Sequence, residues 1–197
     1  YNNLLHHHVP QSSNEDASTF WSGCGAIRRS LFLSLGGFDG RYSAPAIEDI
    51  ELGYRLRRQG YRIRLVKDLQ VKHLKRWGVR SLVMADFFRR ALPWTTLILE
   101  EGRLIDDLNL RWSSRISVGA VYVLVAALAA APWYPFALLG AVMAAVFLLL
   151  LNLPLYQFFL TKRGLWFALR AIAWHWFYYW YSGLAFALGM ARHLCRI

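Results

Sequence analysis

Two adjacent carboxylates, Glu48 and Asp49, stand where a helical pattern begins and are well placed for acid–base chemistry. Apolar residues recur at helical spacing over residues 47–54, and Gly60 ends the pattern. A carboxylate in the first turn of a helix is stabilised in its ionised form, because backbone N–H groups point outward there. Asp49 is therefore predicted to act as a general base, with Glu48 in a supporting role. The alternative is that the pair only caps the helix.

Several short motifs surround this pair in a definite order. SGCGAIRR is followed by GGFD, then by ED and LGYRLRRQGYRI, within residues 20–77. This order resembles the second half of the catalytic domain in inverting family-2 glycosyltransferases, which have a GT-A fold. The resemblance implies that Asp49 takes the proton from an acceptor hydroxyl. It also implies that Gly37, Phe38 and Asp39 of the GGFD motif bind the acceptor.

A second group of candidate residues lies in the pentapeptide HLKRW, residues 73–77. Processive membrane glycosyltransferases have a related Gln-x-x-Arg-Trp motif, and His73 takes the place of its Gln, which argues against processive synthesis. The resemblance implies that Arg76 contacts the donor diphosphate, since guanidinium pairs well with phosphate oxygens. It makes Trp77 a platform for the acceptor sugar. His73 resembles a histidine that helps to ligate the metal in some GT-A enzymes; the alternatives are a surface histidine and a membrane-surface basic cluster.

The resemblance implies a nucleotide-sugar donor and a divalent cation, Mg²⁺ or Mn²⁺, as cofactor. The leaving nucleoside diphosphate gains negative charge, which a cation and basic side chains stabilise. The family holds its metal with an Asp-x-Asp motif, which this chain lacks; residues 49–51, Asp-Ile-Glu, are the nearest match. The sequence is therefore expected to be the C-terminal part of a longer enzyme. That part is expected to be inactive alone, with the cation held mainly by the missing half.

Charge is unevenly distributed along the 197 residues. All 12 acidic residues lie at or before Asp107, and the residues that follow are apolar with only basic charges. The net charge of +11 suggests a polyanionic partner. Because the basic residues border apolar stretches, the expected polyanion is anionic lipid, and no nucleic-acid partner is predicted. Cys24 and Cys195 have neither metal-ligand nor redox spacing.

The first part of the chain is predicted to be an α/β module. Residues 19–23 and 61–66 have strand patterns, and residues 28–35 and 47–59 have helix patterns. The order strand, helix, helix, strand is typical of the closing portion of an α/β domain. Together with the resemblance, it predicts that residues 1–78 form the C-terminal half of a partial GT-A-like catalytic module.

The second part is predicted to associate with a membrane. Residues 79–92 form an amphipathic pattern, expected in the bilayer interface within a linker of residues 79–110; a core-facing helix is the alternative. Residues 111–197 contain three apolar stretches and predict an α-helical region with two to three transmembrane helices. The third stretch, residues 166–190, either spans the bilayer or lies partly in the interface. Basic flanks predict a multi-pass protein of the inner (cytoplasmic) membrane, with its catalytic part in the cytoplasm.

These features predict a membrane-bound glycosyltransferase that moves a sugar from a nucleotide sugar to a hydroxyl of a lipid-linked or glycan acceptor, with inversion. The alternative is a small membrane transporter or assembly subunit with a basic cytoplasmic docking module. Few ionisable groups of the kind that line transport pathways occur in the apolar stretches, which argues against transport.

Overall fold

The computed structural model describes residues 1–42, 44–72, 74, 76–102 and 107–195. Helices account for most of it: α1 (Asn2–Ser12), α2 (Arg29–Ser34), α3 (Glu48–Arg58), α4 (Val79–Met84), α5 (Leu92–Glu101), α6 (Trp112–Ala130), α7 (Ala137–Leu151), α8 (Leu153–Arg163) and α9 (Leu165–Leu194). A π-helical segment, Ala85–Ala91, joins α4 to α5. Two strands, β1 (Asp16–Ala17) and β2 (Ile63–Arg64), pair antiparallel.

The predicted α/β fold class is wrong for the residues that the structure describes. The strands found there are only β1 and β2, of two residues each, and no sheet of the GT-A type is present in this part of the chain. The predicted strand at residues 19–23 is instead a loop with a 3-10 turn at Ser22–Cys24. A two-residue strand pair offers too little surface to bury a helix, so the apolar residues are buried between helices.

Helix α3 forms as the sequence predicts and packs against α5. Its acidic first turn and basic last turn complement the helix dipole. Ile47 and Tyr54 form a buried cluster with Leu97 of α5, and the indole N–H of Trp94 donates to the Tyr54 hydroxyl at 3.0 Å. Helix α5 therefore takes the place of a sheet as the layer that covers α3.

A glycine on α3 brings the preceding loop close to the helix. A Cβ on Gly53 would lie 2.5 Å from the backbone nitrogen of Phe20 and 2.7 Å from the Cα of Thr19. Only a residue without a side chain allows this approach. The contact places the Ser22–Cys24 turn beside the first turn of α3.

The segment from α4 through α5 has one face buried in the protein and another exposed. Leu82, Asp86 and Leu92 are buried, whereas Val79, Met84 and Phe88 are exposed. Helix α5 packs on α9 at Gly189, where an added Cβ would lie 2.7 Å from Thr95. The apolar residues of this amphipathic segment are thus divided between the protein core and its surface.

Helices α6 to α9 pack around buried small and aromatic residues. Val121, Leu124, Ala141, Ala144, Leu148 and Tyr179 form one cluster. Helices α7 and α8 meet at an angle of 70°, at a break next to Asn152. The buried Asn152 amide donates to the Ser117 hydroxyl at 3.0 Å and accepts from the Tyr179 hydroxyl at 2.8 Å. These bonds satisfy the polar side chains that are buried beside the break.

By length and composition, one described helix could cross a membrane, and a bent pair is a second candidate. The helix is α6, of which only 17% of the most apolar stretch is buried; the pair is α7 with α8. Helix α9 is a single helix of 30 residues and is not among the candidates. One or two candidates of this kind leave the multi-pass topology predicted from the sequence without support.

Candidate functional site

Asp49 lies half-buried in the first turn of α3, facing the Ser22–Cys24 turn. Its Oδ2 accepts from the Ser22 backbone N–H at 3.1 Å and from the Ser22 hydroxyl at 3.0 Å. Its Oδ1 accepts from the Ile50 N–H at 2.9 Å. These donors hold the carboxylate in one orientation at the junction of loop and helix.

The surroundings of Asp49 shift its pKa in opposite directions. Burial raises the pKa and is the largest effect, the Ser22 hydrogen bonds lower it, and the neighbouring Glu48 carboxylate raises it. The net result is a pKa above the ordinary value for aspartate. The carboxylate is therefore a stronger base than one on an open surface, which suits proton abstraction.

The two other acidic residues in this turn have structural partners. Glu48 Oε2 accepts from the Ala46 N–H at 2.7 Å and so holds the loop that leads into the helix. Glu51 is buried, and both of its oxygens accept from Arg55 at 2.7 Å. The Asp-Ile-Glu sequence that most resembles an Asp-x-Asp motif is thus occupied by an ion pair.

Arg55 also fixes the GGFD loop to α3. Its guanidinium donates to the carbonyl of Leu35 and, at 2.7 Å, to the carbonyl of Gly37. This role was not predicted from the sequence. Its spacing of four residues from Glu51 was a signal for the ion pair, but nothing in the sequence indicated the carbonyl partners.

The predicted acceptor residues of the GGFD loop make contacts with residues near them in the sequence. Gly37 has a φ of +72°, which favours glycine. Asp39 accepts from the backbone N–H and the Nε of Arg41, both at 2.8 Å, and the backbone bond is the main reason that the pKa of Asp39 is lowered. Phe38 is 44% exposed and packs edge-on against Phe32. These bonds give the loop a defined shape.

Of the HLKRW residues, Arg76 is exposed and Trp77 is anchored. The Trp77 indole N–H donates to Asn3 Oδ1 at 3.1 Å, and the Arg90 guanidinium lies 5.7 Å from the centre of its ring. His73 lies outside the described residues, so its predicted metal role stays a prediction. Across the residues that the structure places, no group of three or more His, Cys, Asp or Glu side chains could hold a metal ion. The described residues therefore do not supply a site for the predicted divalent cation.

A cavity of about 2060 Å³ opens beside Asp49. Its wall includes Asp49, the pair Asp86 and Arg90, and apolar residues of α6 and α9 such as Val118 and Phe186. Of the predicted site residues that the structure describes, Asp49 is the one on this wall, while Glu48, Gly37, Phe38, Asp39, Arg76 and Trp77 are not. The structure thus brings the predicted base to a cavity but does not bring the predicted binding residues to the same wall.

Comparison with known proteins gives one match. The family described as "Glycosyl transferase family group 2" matches residues 1–191. No curated protein and no solved structure matches the chain. Because the match extends over nearly the whole sequence, from α1 through most of α9, the chain belongs to glycosyl transferase family group 2.

Proposed function

We propose that the protein transfers a sugar from a nucleotide sugar to a hydroxyl group of a lipid-linked acceptor, with inversion, and that Asp49 is its general base. The observation that carries this proposal is the position of Asp49. The side chain is half-buried at the start of α3, and Ser22 donates two hydrogen bonds to it. Its pKa is raised, and it lines a large cavity. Membership of the family supports glycosyl transfer over the transporter or assembly subunit.

In the proposed step, an acceptor hydroxyl gives its proton to Asp49 as its oxygen attacks the anomeric carbon of the donor. The bond between that carbon and the phosphate oxygen breaks, and the nucleoside diphosphate leaves with the electron pair. A single displacement of this kind inverts the anomeric configuration. A positioned general base contributes roughly a factor of 10² to 10⁴ to such a reaction.

The charge of the cavity wall supports a nucleotide-sugar donor. The described part of the wall has two acidic residues, Asp49 and Asp86. Its basic residues are Arg28, Arg62, Arg64, Lys67, Lys72, Arg115 and Arg163, besides Arg90, whose charge is balanced by its ion pair with Asp86. A diphosphate would be attracted by this excess of positive charge. In the proposal, Arg76 assists the diphosphate from outside the cavity wall.

The apolar part of the cavity supports an acceptor with a lipid chain. Val118 and Tyr122 of α6 and Leu184 and Phe186 of α9 are among the residues that line the cavity. A phosphate acceptor is ionised already and needs no base, whereas an alcohol must lose its proton as it attacks. A carboxylate held at the cavity therefore favours a hydroxyl acceptor on a glycolipid or a lipid-linked sugar.

Membrane association is part of the proposal. Exposed apolar residues on α4 and the π-helical segment, and the apolar α6, support contact with a bilayer. We assign residues 1–78 to the catalytic part and residues 79–110 to an interfacial linker. Residues 111–197 form the membrane region, with the catalytic part on the cytoplasmic side of an inner membrane, where nucleotide sugars would reach it.

The test is a transfer assay with the native enzyme in detergent, supplied with nucleotide sugars. Polyprenyl phosphate is compared with hydroxyl-bearing glycolipids, and the anomeric configuration of the product is read by NMR. We expect transfer to the hydroxyl acceptor, with a product of opposite configuration to the donor. Efficient transfer to the bare phosphate that survives Asp49→Asn, or a product of retained configuration, would contradict the proposal.

A further inference from the structure

The π-helical segment Ala85–Ala91 carries Asp86 and Arg90. These two residues lie between α9 and Trp77. Pro93 follows this segment, and its ring has no N–H and excludes the carbonyl of Arg89 from an ordinary α-helical bond. Pro93 thus removes one α-helical bond at the C-terminal end of the segment. A π-helical segment within an otherwise α-helical stretch is rare, and such segments occur frequently at functional sites.

Asp86 in this segment is buried and held from two sides. The residue is 6% exposed; its Oδ1 accepts from Arg90 Nη1 at 3.0 Å, and its Oδ2 accepts from the Tyr181 hydroxyl at 2.9 Å. Tyr181 lies on α9 and is buried as well. Burial raises the pKa of Asp86, and the charge of Arg90 opposes that effect. The Arg90 guanidinium is thereby fixed with respect to α9.

The other side of Arg90 faces α1 and Trp77. Its Nη1 lies 3.2 Å from Nε2 of His6, and its guanidinium carbon lies 5.7 Å from the centre of the Trp77 ring. The N–H of the same indole donates to Asn3 of α1. An indole that is anchored at its N–H and contacted by a cation over its ring keeps one orientation.

We propose that Asp86 and Arg90 are positioning residues for the acceptor: through the chain Tyr181–Asp86–Arg90 they set the orientation of Trp77 relative to α9. The inference rests on the proposed function, together with the role of platform for the acceptor sugar that the family resemblance implies for Trp77. It adds that the acceptor is positioned relative to α9 through these contacts, and not only by the loop that carries Trp77. None of these residues takes part in bond making.

The test measures acceptor KM, donor KM and kcat for Arg90→Met in the native enzyme, with Arg89→Met as the control. Arg89 is the exposed neighbour of Arg90 on the same segment. We expect Arg90→Met to raise the acceptor KM about tenfold, with donor KM and kcat within about twofold, and Arg89→Met to change none of them. Arg90→Lys keeps the charge without the planar fork and should give an intermediate value. Equal rises in donor and acceptor KM would overturn the inference.

A double-mutant cycle separates this inference from the proposed function. In a Trp77→Ala background, Arg90→Met should have no further effect on acceptor KM, and simple additivity would contradict the inference. If Trp77→Ala leaves the acceptor KM unchanged, the acceptor role of Trp77 fails. If Trp77→Ala raises it and Arg90→Met does not, only the positioning role fails. Hydrogen exchange gives a readout without turnover: Arg90→Met should speed exchange at residues 76–78 and leave α6 and α7 unchanged.

Discussion

Asp49 combines a raised pKa with hydrogen bonds that favour its ionised form. A general base needs both properties, and they usually conflict. Burial raises its pKa, which strengthens the base but favours the protonated form. The two bonds from Ser22 favour the ionised form and fix the orientation of the carboxylate. A carboxylate with burial alone would be protonated at a higher pH and would be poorly aimed.

Asp49→Asn is expected to lower kcat at least about a hundredfold, because an amide cannot accept the proton. Donor KM should change little, since the substitution keeps the shape and the Ser22 contacts can reorganise. Steady-state kinetics of the native enzyme in detergent measure both values. Asp68→Asn is the control, because Asp68 is exposed and lies in a turn outside α3. Near-normal turnover of Asp49→Asn would exclude Asp49 as the base.

Ser22→Ala is expected to move the acidic limb of the pH–kcat profile to higher pH. Loss of the hydroxyl donor destabilises the ionised carboxylate, so the already raised pKa of Asp49 rises further. Activity requires the ionised form and therefore falls earlier as the pH is lowered. Ser12→Ala is the matched control, since the Ser12 hydroxyl donates to the Val9 carbonyl within α1. An acidic limb that stays in place in Ser22→Ala would show that Asp49 does not control it.

At the scale of the element, α3 organises the site because it touches both loops that the motifs encode. Gly53 admits the Thr19–Phe20 backbone on one side, and Arg55 binds the carbonyls of Leu35 and Gly37 on another. Arg55 is paired with the buried Glu51, so loss of the guanidinium would leave an uncompensated buried carboxylate. The helix thus fixes the position of the SGCG loop relative to the GGFD loop.

Gly53→Ala is expected to lower activity by at least tenfold and stability by about 1–3 kcal/mol, because the methyl group must displace the Phe20 backbone and with it Ser22. Gly40→Ala is the control, since a Cβ there meets no atom within 4 Å and needs no unusual backbone angle. Thermal unfolding and kcat are measured together. Equal behaviour of the two variants would mean that the loop does not need its close approach to α3.

At the scale of the whole molecule, the proposed orientation places the turn between α6 and α7 outside the cell. Tyr134 lies in this turn and is 70% exposed. In a background without Cys24 and Cys195, Tyr134→Cys should react with an impermeant thiol reagent in intact cells. Ser34→Cys should react only after the membrane is opened, because Ser34 is exposed on the proposed cytoplasmic part. The opposite pattern of labelling would reverse the orientation.

Features that depend on near neighbours follow directly from the sequence. Helix α3 follows from apolar spacing, an acidic start and a glycine stop, and the Glu51–Arg55 pair follows from a spacing of four residues. The ordered motifs indicated the glycosyltransferase family that the comparison confirmed.

Contacts between distant segments could be seen only in the tertiary structure. Alternating residues at 61–66 predicted a strand, but β2 forms over two residues because β1 is its one strand partner in the described chain. The Ser22–Asp49 and Asp86–Tyr181 bonds join residues 27 and 95 positions apart. Local pattern carries no information on such pairs, because their partners are chosen by how the helices pack and by the need to satisfy buried polar groups.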